Sequence, residues 1–383
     1  MEQIKFECEV VTPMFLGGAD QRAELRAPSI RGAMRWWFRA MMGGNLFGRS
    51  RDFLKEVKDI EDATFGSTSG QGSFSLSVEH NGIKEKDFSS LNGFFLTYLG
   101  FGLKDNKRRY IPPLFPFDVV FRFHSSDSQI KKLVLATFWM LSNFGNLGAR
   151  ATRGFGSFIV KTPLGDNLPI VESADKLEEG LRCVAGEKYF NIPSTPTVTT
   201  VPAFSIVYPG FWQCIVPTSS KFQNSDAVLL MNTIGKEFRL SRENTSSSFM
   251  KTIGGKTIKG FHTNDYAAIS KWSPPPAGAP GTTIPSQTAF GLPHQFQGSG
   301  GLKIMVEGEN RSRRTSPLHI HVHKFGKTYS VSFQVFKSQF LDSNIKIRDM
   351  NNATRTEILS GTPSYSDLDA FMTSFSGKKD IVL

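Results

Sequence analysis

Residues 4–11, IKFECEVV, alternate apolar and polar side chains and predict an opening strand. A loop punctuated by glycine and proline follows, and then the period changes. In APSIRGAMRWWFRAMMGG (27–44), Ile30, Ala33, Met34, Trp37 and Met41 fall within about a third of a helical circumference, the mark of a buried helix stripe. Ser29 after Pro28 is the expected N-cap, and Gly43-Gly44 the expected stop. DFLKEVKDIEDATFG predicts a short helix, and GSFSLSVEH an alternating strand. SSLNGFFLTYLGFGL and DVVFRFH are aromatic-rich strand candidates. SQIKKLVLATFWMLSNFG returns to helical spacing through Ile130, Leu133, Val134, Met140 and Leu141. NLGARATRGFGSFIV then runs from a loop into a strand, so residues 1–161 take the order β-α-β-β-α-β of a ferredoxin-like domain.

Residues 162–200 are mixed polar with several prolines and are read as a connecting segment. A second unit, 201–383, is expected to begin near AFSIVYPGFWQCIVP, with a helix at SDAVLLMNTIGKEFRL. Two stretches carry no motif: the polar 241–260 and the proline-rich 274–285. LKIMVEGE, SPLHIHVHKF and TYSVSFQVF are three alternating runs suited to an antiparallel sheet, and PSYSDLDAFMTSFSG suits a closing amphipathic helix. The coarse order of elements thus occurs twice, and the expected fold class is α+β, with two similar units packed together in one chain.

Composition narrows the setting. No apolar run approaches the roughly 18 residues needed to span a bilayer. The N-terminal MEQIKFECEV alternates charge instead of pairing a basic stub with an apolar core, which predicts no export signal and a cytoplasmic protein. Cys8, Cys183 and Cys214 have neither disulfide nor zinc spacing. Lysine and arginine number 45 against 34 acidic residues, a net +11 that favours polyanionic partners through counterion release. Phenylalanine occurs 34 times, against seven tyrosines and five tryptophans; most serve the core, and a minority is available to stack on bases.

Two elements concentrate the charge. Arg31, Arg35 and Arg39 step along one side of the 27–44 helix, drifting by about 40° at each step. No acid lies at a helical pairing distance within the segment, so the row either faces solvent or takes its counter-charge from outside the helix, a carboxylate cluster or a phosphate backbone. Free N–H groups around Ser29 to Gly32 add an anion-attracting helix end. In GNLGARATRGFGSF, Gly148, Gly154 and Gly156 surround Arg150 and Arg153, which lets backbone amides approach phosphates closely. The loop is no dinucleotide fingerprint, since no glycine follows Gly156 three residues on. GGKT (254–257) is no P-loop, because Met250 stands where the leading glycine belongs. His319, His321 and His323 share a strand face about 7 Å apart in succession, with no further ligand nearby in sequence, so no metal and no cofactor is expected. They are instead open to RNA contact.

The run TPMFLGGADQRAELRAPSIRGAMRWWFRA, followed by FGSTSGQGSFSLSV and GARATRGFGSF, resembles the RAMP superfamily of CRISPR proteins, with its closest likeness to the first Cmr subunit of type III-B interference complexes. AFGLPHQF and SRRTSPLHIHV resemble the second half of that subunit. The resemblance implies two ferredoxin-like, RRM-type RAMP domains. It also implies a non-catalytic subunit bound to crRNA and target RNA, beside other Cmr RAMP subunits, at the end holding the 3′ part of the guide. Carried over residue by residue, it assigns RNA contact to Ser29, Arg31, Gly32, Arg35 and Arg39, to Gly148, Arg150, Arg153, Gly154 and Gly156, and to Arg313, Arg314 and Ser316. The competing expectation is a metal-independent endoribonuclease that processes CRISPR RNA, with His262 and His294 as its acid–base candidates.

Overall fold

The computed structural model describes residues 2–383 except 19, 21, 105, 166–167, 254–255, 264–268, 270–271, 273–283, 298–302, 311–312, 340–343 and 362. Gly254 and Gly255 of the GGKT run therefore lie outside the described residues, as does the proline-rich 274–285 tract apart from Ile284 and Pro285. In chain order, the first half holds β1 (Glu2–Val10), α1 (Ala27–Leu46), α2 (Phe53–Phe65), β2 (Phe74–Glu79), β3 (Lys86–Asp87), α3 (Phe94–Leu99), β4 (Arg109–Tyr110) and β5 (Pro116–Phe123). It continues with α4 (Ser128–Phe144), β6 (Phe158–Val160), α5 (Ala174–Ala185), β7 (Trp212–Pro217) and α6 (Ala227–Leu240). The remainder is strand-rich: β8 (Glu243–Ile253), β9 (Lys256–Thr263), β10 (His294–Gln297), β11 (Lys303–Gly308), β12 (Leu318–Phe325) and β13 (Thr328–Phe336). It closes with β14 (Ile345–Asp349), β15 (Asn352–Leu359), α7 (Ser366–Thr373) and β16 (Lys378–Ile381).

These elements form two units that interleave in sequence. One comprises Met1–Gly235, His319–Ser338 and Ser376–Leu383; the other comprises Lys236–Leu318 and Gln339–Phe375. The first unit contains an antiparallel sheet in the order β2-β5-β1-β6, with Phe6 opposite Val119 and Cys8 opposite Val160. The four strands of this sheet, with α1 and α4, follow one another as β-α-β-β-α-β, and α2 and the β3-α3-β4 segment are additions to that order. Its inward phenylalanines meet α4: the fully buried Phe138 packs on Phe6, Phe121 and Phe158 at centroid distances of 5.9, 5.2 and 6.1 Å. Contacts of this kind are the main favourable term holding helix to sheet. A second sheet of the same unit runs β12-β13-β7-β16, and the other unit holds β10-β11-β14-β15 over Trp272, Ile304, Val306, Ile345 and Ile347.

Several elements differ from the sequence reading. The 94–99 stretch is a helix, not a strand, because its buried residues Leu96 and Leu99 are spaced three apart on one face, between Gly93 and Gly100. Helix α1 begins at Ala27 with Pro28 in its first turn, so Arg26 and not Ser29 stands at the N-cap. It runs past Gly43-Gly44 to Leu46. A Cβ on Gly44 would sit 2.0 Å from the carbonyl oxygen of Val207, so this glycine admits a crossing chain and does not stop the helix. The supposed connection 162–200 contains α5, and the polar 241–260 stretch enters the β8–β9 hairpin. The three alternating runs are strands, but β11 joins one sheet while β12 and β13 join another.

Candidate nucleic-acid interface

The arginine row of α1 faces α2. Arg39 sets Nη1 at 2.9 and 3.1 Å from the two carboxylate oxygens of Glu61, and Arg35 brings Nε to 2.9 Å from the same carboxylate. Asp62 stands 3.6 Å from Arg35. Arg31 and Arg35 donate to the Phe65 and Gly66 carbonyl oxygens at the C-terminal end of α2, and their guanidinium groups lie over Phe74 and Phe65 at 5.6 and 5.8 Å. The negative end of α2 and the buried Glu61 therefore supply the counter-charge the sequence left open. Burial, and then the charge of Arg35, lower the pKa of Arg31. Ser29 is half-buried; Gly32 is exposed, with open space where a Cβ would stand.

Trp36 and Trp37 pack edge-on at 5.0 Å, and Trp36 also meets His319 at 5.1 Å and Phe336 at 5.2 Å. Trp36 is thus partly buried, packed against these rings. Nor are the three histidines equivalent. His321 and His323 are buried, His321 bonding the Gly145 carbonyl at 2.7 Å through Nδ1 and His323 bonding Ser332 at 2.9 Å. Burial pulls the pKa of His321 down to about 4 against the Gly145 bond, and burial with the neighbouring His321 pulls His323 well down. The expectation that these histidines meet RNA fails for both, because β12 is covered on both faces there; only His319 reaches solvent.

The glycine-arginine loop is a rigid construction. Gly148, Gly154 and Gly156 have φ of +93, +83 and +80°. At Gly156 a Cβ would sit 1.9 Å from the Leu147 carbonyl oxygen, so no other residue fits. The loop hangs from the chain just beyond β1: Ala149 donates to Phe15 O at 2.8 Å, Gly156 to Pro13 O at 3.0 Å, and Thr12 Oγ1 to Gly154 O at 2.7 Å. Asn146 and Ser157 tie its base to Ile320 and Val322 of β12. The glycines thus serve chain geometry first. Arg153 bridges to Ile320 through its backbone, whereas the Arg150 side chain reaches the 100–109 turn.

Arg150 adopts φ +61°, a left-handed conformation uncommon for a side-chain-bearing residue. Its guanidinium donates to the Phe101 carbonyl and forms no ion pair among the described residues. Burial alone accounts for its lowered pKa. The residue is exposed, so a guanidinium without a carboxylate partner stays open to an arriving anion. The 100–109 turn comes to Arg150 because it hangs from the same anchor, Ile111 and Met14 exchanging backbone hydrogen bonds of 2.9 and 3.0 Å. The sequence alone places Gly100–Leu103 in a strand candidate, whereas here they open a turn; a phenylalanine between two glycines, followed by LKDNKRR, is its legible signal.

In the second unit, the two later motifs meet. Leu292 and Arg314 form an antiparallel bridge, and a Cβ on Gly291 would lie 3.1 Å from both the Arg314 carbonyl and the Ser316 nitrogen. Ser316 is buried and accepts from the Leu318 N–H at 3.2 Å, whereas Arg313 is exposed. No helix among the described residues is long and apolar enough to cross a membrane.

Comparison with known proteins defines the class. The model of the RAMP superfamily matches residues 7–159, which contain both the α1 row and the glycine-arginine loop. The CRISPR system Cmr subunit Cmr1-2 of Pyrococcus furiosus is 33% identical over 184 residues, 42% of this chain and 96% of the relative. The chain belongs to the RAMP superfamily of CRISPR proteins. Within it, the chain is homologous to the Cmr1 subunits of type III Cmr complexes. Cmr1-1 of the same organism is 35% identical over 164 residues, 40% of this chain, which spans about half (46%) of that relative. A crystal structure of Pyrococcus furiosus Cmr1 in its apo form shares the fold over 100% of this chain and 99% of its own, with a TM-score of 0.57 at 20% identity.

Proposed function

We propose that the chain is an RNA-binding, non-catalytic subunit of a type III-B Cmr complex in the cytoplasm, built from two ferredoxin-like RAMP domains. It sits beside other Cmr RAMP subunits at the end holding the 3′ part of the crRNA and helps to hold target RNA. The observation that carries this reading is Arg150: an exposed cation with no carboxylate partner among the described residues, in a left-handed conformation on a glycine loop whose backbone is pinned to the chain beyond β1. Family membership, the net charge of +11 and the exposed Arg313 support it. In this reading Arg35 and Arg39 hold α1 to α2 and contribute field, while Arg150 and Arg313 touch phosphate.

The test is electrophoretic titration of the full chain with guide and target RNA at several salt concentrations. Arg150→Glu and Arg313→Glu should each weaken binding to all sequences alike and flatten the salt dependence. Unchanged binding in both variants would leave a scaffold without direct RNA contact. Incubation with labelled repeat RNA in the absence of metal should yield no site-specific product. Cleavage lost on replacing His262 or His294 would overturn the non-catalytic assignment.

A further inference from the structure

Phe101 is the most exposed large hydrophobic side chain among the described residues, at 69%. It stands between Gly100 and Gly102, so neither chain neighbour shields its ring, and its carbonyl accepts from the Arg150 guanidinium. A Cβ on Gly102 would lie 3.7 Å from Arg150 Nη2 and 3.8 Å from Asn106 Nδ2, which places the two side chains against the same short turn. That turn is self-locked: Asn106 Nδ2 donates to Gly102 O at 2.7 Å, Lys107 N to Lys104 O at 3.0 Å, and Arg108 N to Leu103 O at 3.2 Å. Its cations are not consumed internally. Arg109 pairs with Glu85 at 2.5 Å, but Lys104, Lys107 and Arg108 form no ion pair among the described residues. The 101–109 run carries four cations against the single Asp105.

An exposed aromatic ring on a turn that also carries two lysines is unlike the core of a protein–protein interface, from which lysine is depleted. It has the composition of a stacking platform inside a positive groove, where every base offers a π-face and phosphates answer the cations. In an A-form duplex the faces of the bases are already stacked, so such a ring is useful only to an unpaired strand. We propose that Phe101 stacks on an unpaired base of single-stranded RNA, with Arg150, Lys104 and Lys107 holding the flanking phosphates. This rests on the RNA-binding reading above and specifies the strand state that one patch of the surface selects.

The experiment is an anisotropy titration of the full chain with a short, unstructured, labelled RNA and with its blunt duplex. Phe101→Ala should weaken the single strand on the order of ten-fold, the low end of what one stacked base contributes. The salt slope, duplex binding and urea midpoint should not change, because the ring is on the surface. Phe101→Trp should retain affinity, and its emission should be quenched by the single strand. Lys104→Glu/Lys107→Glu should weaken both ligands and reduce the single-strand salt slope by about 1.4, two phosphate contacts' worth. If the wild type binds and Phe101→Ala binds the single strand equally well, the platform is refuted while RNA binding stands. If the wild type binds neither RNA, the RNA-binding reading falls and the platform with it.

Discussion

Glu61 decides what the arginine row of α1 is for. Its carboxylate is 8% exposed and takes Arg39 at 2.9 Å and Arg35 at 2.9 Å, whose side chains are 40% and 31% exposed. Breaking a fully buried pair by removing one partner costs about 3–5 kcal/mol. The two guanidinium groups are partly hydrated, which lowers the loss, and glutamine keeps one acceptor oxygen, so Glu61→Gln should cost about 2 kcal/mol. Urea unfolding followed through tryptophan emission reports it, since Trp36 and Trp37 lie on the same helix. RNA affinity of the folded variant should stay within about two-fold of the wild type, with the same salt slope. The opposite pattern would refute the assignment. If stability is unchanged and RNA binding tightens, Glu61 is an occupant that phosphate displaces, and the row is a binding site after all.

Two further outcomes follow from the loop and from β12. The folded pKa of His321, about 4, lies below the 6.5 of an unfolded histidine, so the unfolded chain takes up a proton first as pH falls. The stability that the neutral ring confers is complete above pH 6.5 and declines towards pH 4, by about 3 kcal/mol in all. His321→Asn should remove that part of the slope in pH-dependent urea titrations, and an unaltered slope would discard the assignment. Gly156→Ala meets both a positive φ and the Leu147 carbonyl, and should cost at least about 2 kcal/mol by the same titration; a neutral outcome would mean the loop relaxes freely.

Strands and long helices were legible because alternation and the 3.6-residue period report one buried face, as in β1, α1 and α4. The reading failed where the partner comes from elsewhere in the chain. Glu61 lies 22 residues from Arg39 on another helix, so a search for acids at helical spacing could not find it. Gly43-Gly44 looks like a stop until Val207 is known to cross there, its N–H donating to Ala40 O at 2.9 Å. The 94–99 run has too few polar residues to set its period, so its aromatic content alone suggests a strand where a helix forms. Alternation identified β11, β12 and β13 but carries no record of which sheet each joins. At the candidate interface, the arginines and glycines were found by composition. What separates Arg150 from Arg35 and Arg39 is the presence or absence of a carboxylate, a fact of packing.

The sheet order β12-β13-β7-β16 also sets a problem of timing on the ribosome. Both hydrogen-bonding partners of β7 are made after it, β13 by more than about a hundred residues. At ordinary elongation rates WQCIVP therefore waits on the order of ten seconds with both edges unpaired, an apolar ribbon open to other chains. Slower synthesis lengthens that window, and a nascent-chain chaperone holding 212–217 should raise the yield of folded protein more than one acting on β1.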